Sequence, residues 1–324
     1  MELIRGIHNI KPRHRGCVLT IGNFDGVHQG HHAVLARLQE KAAQLGLPAC
    51  VMLFEPQPLE LFAGDAAPAR LSRWREKYEA LKGMQIDRML CVRFTHRFAE
   101  QAASSFIEQL LVEKLGVHYL VVGDDFRFGK GREGDFHLLE AAGHRFGFEV
   151  ISTQSFQVER QRVSSTLVRE ALKAGRMAEV ELMLGRPYAI SGRVAHGDKL
   201  GRTIGFPTAN LALKRQVIPV GGVFAVEVLC SGKTFPGVAN VGVRPTLSGT
   251  QARLEVHLFD FSGDLYGQQV KVLLRHKLRE EQKFASFTAL KEQIERDALA
   301  ARAWFGLPPF NLPSTLLEKK GTQD

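Results

Sequence analysis

Two histidines flank a glycine in the run Gly22-Asn23-Phe24-Asp25-Gly26-Val27-His28-Gln29-Gly30-His31. The run follows an apolar segment, Cys17–Gly22, and opens a helical pattern, His31–Leu45, that Gly46 ends. Glycines after a strand let the backbone come close to a phosphate, and the next helix offers unpaired N–H groups and a positive dipole end. Imidazoles at that place can hydrogen-bond a pentavalent α-phosphate and a departing pyrophosphate. A histidine pair at a helix start can equally do no more than cap it, but a position after the first strand of an alternating sheet favours the phosphate. Ser164, Ser165 and Thr166 are N-cap types ahead of another helical run, and their hydroxyls suit a cap or a phosphate. Arg169, one turn later, can present a fork to a β- or γ-phosphate or remain a solvated surface arginine.

A second set of such residues lies further along. Gly192–Gly197 begins a glycine-rich unit that continues through Gly201, Arg202 and Gly205 to Pro207-Thr208-Ala209-Asn210. The proline fixes the backbone, so Thr208 and Asn210 fall on one side of an extended segment. Their hydroxyl and amide oxygens are hard ligands of the kind Mg²⁺ accepts beside nucleotide phosphates, though the same four residues would also make an ordinary turn. In Leu254-Glu255-Val256-His257-Leu258, alternation puts the apolar side chains on one face and Glu255 and His257 on the other. A half-exposed strand with a solvated polar face would read the same way.

The elements that must hold these residues fall into two patterns. Up to about Leu184, apolar runs alternate with helical stretches. Strands are expected at Cys17–Gly22, Ala49–Phe54, Arg88–Val92, Tyr119–Val122 and Glu149–Ser152, and helices at His31–Leu45, Ser104–Leu115 and Asp135–Phe146. That alternation predicts a parallel, doubly wound α/β sheet whose ligands bind at the C-terminal strand ends. Beyond Leu184-Gly185-Arg186-Pro187 come period-2 segments separated by glycines and prolines: Ala189–Ala195, Val223–Leu229, Phe235–Val241, Arg253–Phe259 and Gln269–Leu274. These predict an antiparallel β-barrel or sandwich closed by a terminal helix over Phe287–Phe305. Two glycine motifs are decoys. Gly129–Gly134 satisfies G-x-G-x-x-G but stands six residues beyond its strand, and Gly232-Lys233-Thr234 lacks the earlier glycine of a P-loop and reads as a turn.

The 324 residues are 44% hydrophobic and 24% charged, which suits folded globular domains and not disorder. Of the net charge of +9, +2 lies up to Leu184 and +7 beyond it, a bias suited to polyanions. Cys17, Cys50, Cys91 and Cys230 are far apart and form no C-x-x-C pair, which argues against a disulfide framework or thiolate metal site and fits a reducing compartment. With no signal-like N-terminus and no apolar run of ~18–20 residues, a cytoplasmic protein without a membrane partner is expected.

The run G-x-F-D-G-V-H-x-G-H resembles the H-x-G-H motif of nucleotidyltransferases, in the version found in bacterial bifunctional riboflavin kinase/FAD synthetases. Phe54-Glu55-Pro56-Gln57-Pro58, Gly123-Asp124-Asp125-Phe126-Arg127-Phe128-Gly129 and Ser164-Ser165-Thr166-Leu167-Val168-Arg169 match that family in order. Gln57 stands where the family often has His, and Asp125 where many relatives carry Asn. In the second half P-T-A-N, Gly237–Thr246, E-V-H, Asp264–Gly267 and Leu278–Phe284 resemble its riboflavin kinase domain. The resemblance covers about Gly22 to Phe305.

It implies a Rossmann-like nucleotidyltransferase domain over 1–184 and a barrel kinase domain over 185–310; beyond the terminal helix a loose tail over 311–324 is expected from its position at the end of the chain. The kinase would phosphorylate riboflavin to FMN, and the first domain would transfer AMP from ATP to FMN, giving FAD and pyrophosphate. By the same resemblance His28, His31 and Arg169 serve adenylyl transfer. Gly22, Asn23, Phe24, Asp25, Gly30, Ser164, Ser165 and Thr166, with Gly197, Lys199, Gly201 and Arg202 in the kinase, bind nucleotide. Phe54, Pro56, Pro58, Asp125, Phe126 and Phe128 would meet flavin, as would Arg279, which otherwise belongs to a surface charge run. Thr208 and Asn210 would hold Mg²⁺, and Glu255 would take the proton of the ribityl 5′-hydroxyl. An alcohol needs such a base at neutral pH, whereas a phosphomonoester with a second pKa near ~6 is already an anion. The expected ligands are ATP, riboflavin, FMN and FAD. An H-x-G-H enzyme acting on another small acceptor is the alternative. A class I synthetase would also need a K-M-S-K-S-like loop, which is missing, and an RNA-reading barrel would need aromatic stacking positions among its basic residues.

Overall fold

The structure is a computed structural model that describes residues 1–153, 163–195, 205–213, 217–246 and 249–309. The chain divides into two compact units, Met1–Glu170 with Leu182–Gly185, and Ala171–Glu181 with Arg186–Asp324.

The first unit is built on six strands: β1 (Glu2–Arg5), β2 (Cys17–Ile21), β3 (Ala49–Glu55), β4 (Arg88–Arg93), β5 (Val117–Val122) and β6 (Glu149–Ser152). All pairings are parallel, in the order β1-β4-β3-β2-β5-β6. The expected doubly wound sheet is therefore present, with β1 as an additional edge strand. Its central strands are buried on both faces, so they read as unbroken apolar runs. The pleat sorts their side chains. Leu19, Met52, Leu90 and Leu120 join one core, and Val18, Val51, Met89 and Val121 the other. Each large apolar side chain so buried contributes about 1.5–3 kcal/mol.

Helix α1 (Gln29–Leu45) covers the second core through Leu35, Leu38 and Ala42, and ends at Gly46 in the left-handed region. Between β3 and β4 lie α2 (Pro58–Ala63) and α3 (Trp74–Gly83). After β4 come α4 (His96–Ala99) and α5 (Ala103–Ser105), and α5 runs on as a π-helical stretch over Phe106–Lys114. Ser104–Leu115 was expected as a plain helix; apolar periodicity alone does not separate the two windings. Helix α6 (Phe136–Phe146) is capped by Asp135, which accepts from the Leu138 N–H at 2.9 Å. Helices α7 (Ser165–Lys173) and α8 (Met177–Leu184) follow β6.

In the second unit β7 (Tyr188–Ala195), β8 (Ala209–Ala212), β9 (Gly222–Cys230), β10 (Lys233–Thr246), β11 (Gly249–Leu258) and β12 (Gln269–Arg279) form a closed barrel, ordered β10-β11-β8-β7-β12-β9. Every pairing is antiparallel. Ser231 and Gly232, both at positive φ, make the tight β9–β10 turn, which is where Gly232-Lys233-Thr234 lies. The terminal helix, Phe287–Trp304, is capped by the Ser286 hydroxyl and packs Ala298 and Ala301 against Val223, Ala225, Val238 and Phe259.

Candidate functional site

Strand order reverses between β2 and β5: successive strands step away from β2 on one side, and β5 and β6 lie on the other. Such a switch point opens a crevice at the C-terminal strand ends. A cleft of about 1550 Å³ lies there, lined by Gly22, Asn23, Phe24, His28, Gly30 and His31 from the loop after β2. Phe54 and Pro58 line it after β3, Asp125, Phe126 and Phe128 after β5, and Ser164 and Ser165 at the start of α7. Pro56, Thr166, Asp25 and Arg169 do not line it.

The loop after β2 is bent sharply. Phe24 and Val27 both sit at positive φ, 47° and 42°, with Gly26 between them at 81°. A β-branched residue held there is a strained choice that the surrounding contacts must enforce. His28 caps α1, and its N–H donates to His31 Nδ1 at 3.3 Å, with the two rings stacked at 3.7 Å. Capping and cleft lining thus go together. Because Nδ1 accepts, the proton of neutral His31 belongs on Nε2. Burial, helped by the nearby His28 and Lys77, pushes the His31 pKa well below its ordinary range and keeps the ring neutral. Gly30 is needed for its size: a Cβ there would meet the Val163 carbonyl oxygen at 3.0 Å and the His28 ring at 3.1 Å.

Beneath this loop lies a buried charged network. Asp25, 3% exposed, accepts from the Leu71 and Ser72 N–H groups at 3.0 Å each and from Arg169 Nη2 at 2.6 Å. Its own carbonyl accepts from the Ser165 hydroxyl at 3.0 Å. Arg169 also donates through Nε to the Ala69 carbonyl at 2.6 Å. Two of its three nitrogens are therefore spent on protein. Lys77 on α3 is fully buried and donates to the Asn23 carbonyl at 2.5 Å, and burial lowers its pKa against the pull of Asp25. Arg70 pairs with Glu55 at 2.7 and 3.1 Å and with Glu60. Sequence reasoning missed Arg70, Ser72 and Lys77, because polar and charged residues in a loop or on a helix read as solvated surface until their partners are known.

The opposite wall is aromatic. Phe54 meets Phe94 at 5.5 Å, Phe62 meets Phe94 at 6.0 Å, and Phe128 stacks on Phe126 at 5.5 Å and tilts against Phe106 at 5.1 Å. Phe62, on α2, is 61% exposed. Phe62, Phe94, Phe98 and Phe106 also line the cleft, and none of them lies in a motif that the sequence singled out. Gly129, Lys130, Gly131 and Arg132 also line it, from a short 3-10 turn and not from a strand-to-helix junction.

In the barrel, Glu255 on β11 is the register partner of Asn210 on β8 and of Asn240 on β10. Residues directly opposite in a ladder point to the same face, so the three side chains form a row. Arg253 lies 3.7 Å from the Glu255 carboxylate. His257 Nδ1 is 3.0 Å from the Pro207 carbonyl oxygen, which ties the segment entering Thr208 to β11. Burial lowers the His257 pKa, partly opposed by that hydrogen bond. Asn240 donates to Glu281 at 3.2 Å. Arg279 gives its fork to Asp297 at 2.8 and 2.6 Å, with Asp297 6% exposed. Gly197, Lys199, Gly201 and Arg202 lie outside the described residues. Among the described residues no cluster of three or more His, Cys, Asp or Glu could hold a metal ion.

The FAD synthetase family model matches residues 10–167, and the riboflavin kinase family model matches residues 184–305. The bifunctional riboflavin kinase/FMN adenylyltransferase of Escherichia coli (strain K12) is 60% identical over 309 residues, 95% of this chain and 99% of that one. That of Haemophilus influenzae is 55% identical over 306 residues, 94% of this chain and 99% of its own. A solved structure described as a macrolide-efflux protein from Streptococcus pneumoniae aligns with a TM-score of 0.77 at 30% identity, covering 94% of this chain and 100% of that chain. No helix among the described residues is long and apolar enough to cross a membrane. With both family models matched in order and such identity across nearly its whole length, the chain belongs to the bifunctional riboflavin kinase/FMN adenylyltransferase family.

Proposed function

We propose that residues 185–310 phosphorylate riboflavin to FMN with ATP and that residues 1–184 adenylylate FMN to FAD with release of pyrophosphate. The observation that carries the second activity is the stacked His28–His31 pair at the start of α1, facing the cleft at the switch point. The FMN phosphate attacks the α-phosphorus of ATP, and the bond to the β-phosphate oxygen breaks. The α1 N-terminus and the Nε2–H of neutral His31 stabilise charge on the phosphoryl oxygens, with His28 beside it. Arg169 holds the loop through Asp25 and acts on adenylyl transfer from beneath the cleft, as a positioning residue. Gly22, Asn23, Phe24, Gly30, Ser164 and Ser165 shape the nucleotide side. Asp25 acts as a positioning residue beneath it. Phe54, Pro58, Asp125, Phe126 and Phe128 form the flavin side, which Phe62 extends.

In the barrel Glu255 takes the proton from the 5′-hydroxyl as that oxygen attacks the γ-phosphorus of ATP, while the bond from that phosphorus to the β-phosphate oxygen breaks and ADP leaves. The hydroxyl of Thr208 and amide oxygen of Asn210, in register with the Glu255 carboxylate, suit Mg²⁺. Bound there, the ion would neutralise charge on the ATP phosphates. Four free cysteines fit a cytoplasmic enzyme.

A chromatographic time course with riboflavin, ATP and Mg²⁺ tests the reading. FMN appearing and then converting to FAD is expected. FMN that accumulates without FAD would reject the role given to the cleft, and unconsumed riboflavin would reject that of the barrel.

A further inference from the structure

The cleft carries nucleotide and flavin on different walls in the reading just given, on which this inference rests. One segment, Ala69–Ser72, touches the supports of both. We propose that this segment is a strap coupling the two subsites, with Arg70 as its positioning residue.

Three of its four residues serve the nucleotide side and one, Arg70, the flavin side. Ala69 accepts from Arg169 Nε at 2.6 Å. The Leu71 and Ser72 N–H groups hold the Asp25 carboxylate, and the Ser72 hydroxyl accepts from the Gly26 N–H at 2.9 Å. The Leu71 side chain presses on the bend of the phosphate loop, where a Cβ on Gly26 would come within 2.8 Å of it. These contacts all belong to the nucleotide side. Arg70 turns the other way, to Glu55 and Glu60. Glu55 follows Phe54 at the end of β3, and Glu60 sits in α2 beside Leu59 and Phe62, which line the flavin wall.

Asp25, Glu55 and Glu60 face Arg70, Lys77 and Arg169, so three negative charges meet three positive ones. A partly buried network of this kind holds a defined geometry because each charge left without its partner is costly. Nucleotide settling on the His28–Gly30 loop fixes Asp25, hence the strap, hence α2. Flavin packing on α2 acts back along the same route, since coupling between two binding sites is reciprocal. Without Arg70, Glu55 and Glu60 repel each other, and α2 is no longer tied to the loop.

The test uses initial rates of FAD formation from FMN, which report only the adenylylation site of the intact enzyme. Over a grid of FMN and ATP concentrations, the KM for FMN in the unaltered chain should fall about fivefold or more as ATP saturates. In Arg70→Gln that dependence should vanish and the KM for FMN should rise. Arg70→Lys, which keeps the charge without the fork, should restore part of it. A thermal unfolding transition of the first unit at the temperature of the unaltered chain reports that the unit carrying Arg70 remains folded. Should Arg70→Gln not fold, Glu60→Gln tests the same link while leaving Arg70 paired with Glu55. An ATP dependence equal in the unaltered chain and the variants overturns the strap, as does a fall in kcat with both KM values unchanged. A chain that makes no FAD at all rejects the underlying reading instead.

Discussion

Glu255 and Asn210 face each other across the β8–β11 ladder as register partners. Their Cβ atoms are therefore about 4.5–5.5 Å apart on one face of the barrel wall. A carboxylate and an amide thus sit side by side on that face, the arrangement on which the kinase role proposed for the barrel rests.

Replacing Glu255 by Gln keeps the shape and removes the base. Riboflavin phosphorylation should drop by about 10²–10⁴-fold, the range for a lost general base, while FMN adenylylation is retained. Parallel loss of both activities in folded protein would contradict the division of labour.

Asp25 carries no chemistry in this scheme but holds Arg169, Leu71 and Ser72 together. Asp25→Ala leaves Arg169 without its counter-charge, a loss of about 3–5 kcal/mol for a buried pair. The unfolding transition of the first unit should move to lower temperature, with FAD formation lost and FMN formation intact. An unchanged transition would mean the network contributes little.

The depressed pKa of His31 sets a pH dependence. In the folded chain the ring stays neutral below ~6.5, where the unfolded chain binds a proton. Its contribution to stability is thus fully present above ~6.5 and is lost as pH falls towards the folded-state value. Thermal unfolding at pH 7.5 and 5.5 should show His31→Asn losing less stability on acidification than the unaltered chain. Identical losses would show that the ring titrates normally.

Arg279 and Asp297 join β12 to the terminal helix. Arg279→Lys and Asp297→Asn should each lower barrel stability, and the double variant should show a coupling of about 0.5–3 kcal/mol. If Arg279→Lys instead raised the KM for riboflavin with stability and the Asp297 variant unaffected, the flavin contact expected from the sequence would be its main role.

Much of this was legible in the sequence. Apolar runs bounded by glycine gave β2 to β6, and alternation gave five of the six barrel strands, because one-sided and two-sided burial leave different patterns. Two of the three four-residue strands, β1 and β8, escaped, being too short for a period to show, whereas β6, equally short, was readable from its place after a helix in the alternation. His28, His31 and Glu255 were readable because their spacing sits on recognisable elements. Lys77, Arg70 and Glu60 were not, since a charge inside a neutral buried network looks like any surface charge until its partners, 10 to 54 residues away, come together. Asp25 and Arg169 were read as nucleotide contacts from their motifs, yet their main partners are each other and the 69–72 backbone.

The π-helical stretch has its own consequence for insertions and deletions. Its hydrogen bonds close over five residues, as between the Leu115 N–H and the Leu110 carbonyl at 3.0 Å. Removing one residue from Phe106–Lys114 would let it rewind as an ordinary α-helix without breaking the chain elsewhere. Each residue subtends about 100° of turn, so the faces before and after the cut would turn by that angle relative to each other, and Phe106 and Leu111 could not both keep their places in the core. A single-codon deletion after Phe106 would thus disturb the aromatic wall while no residue of that wall had been replaced.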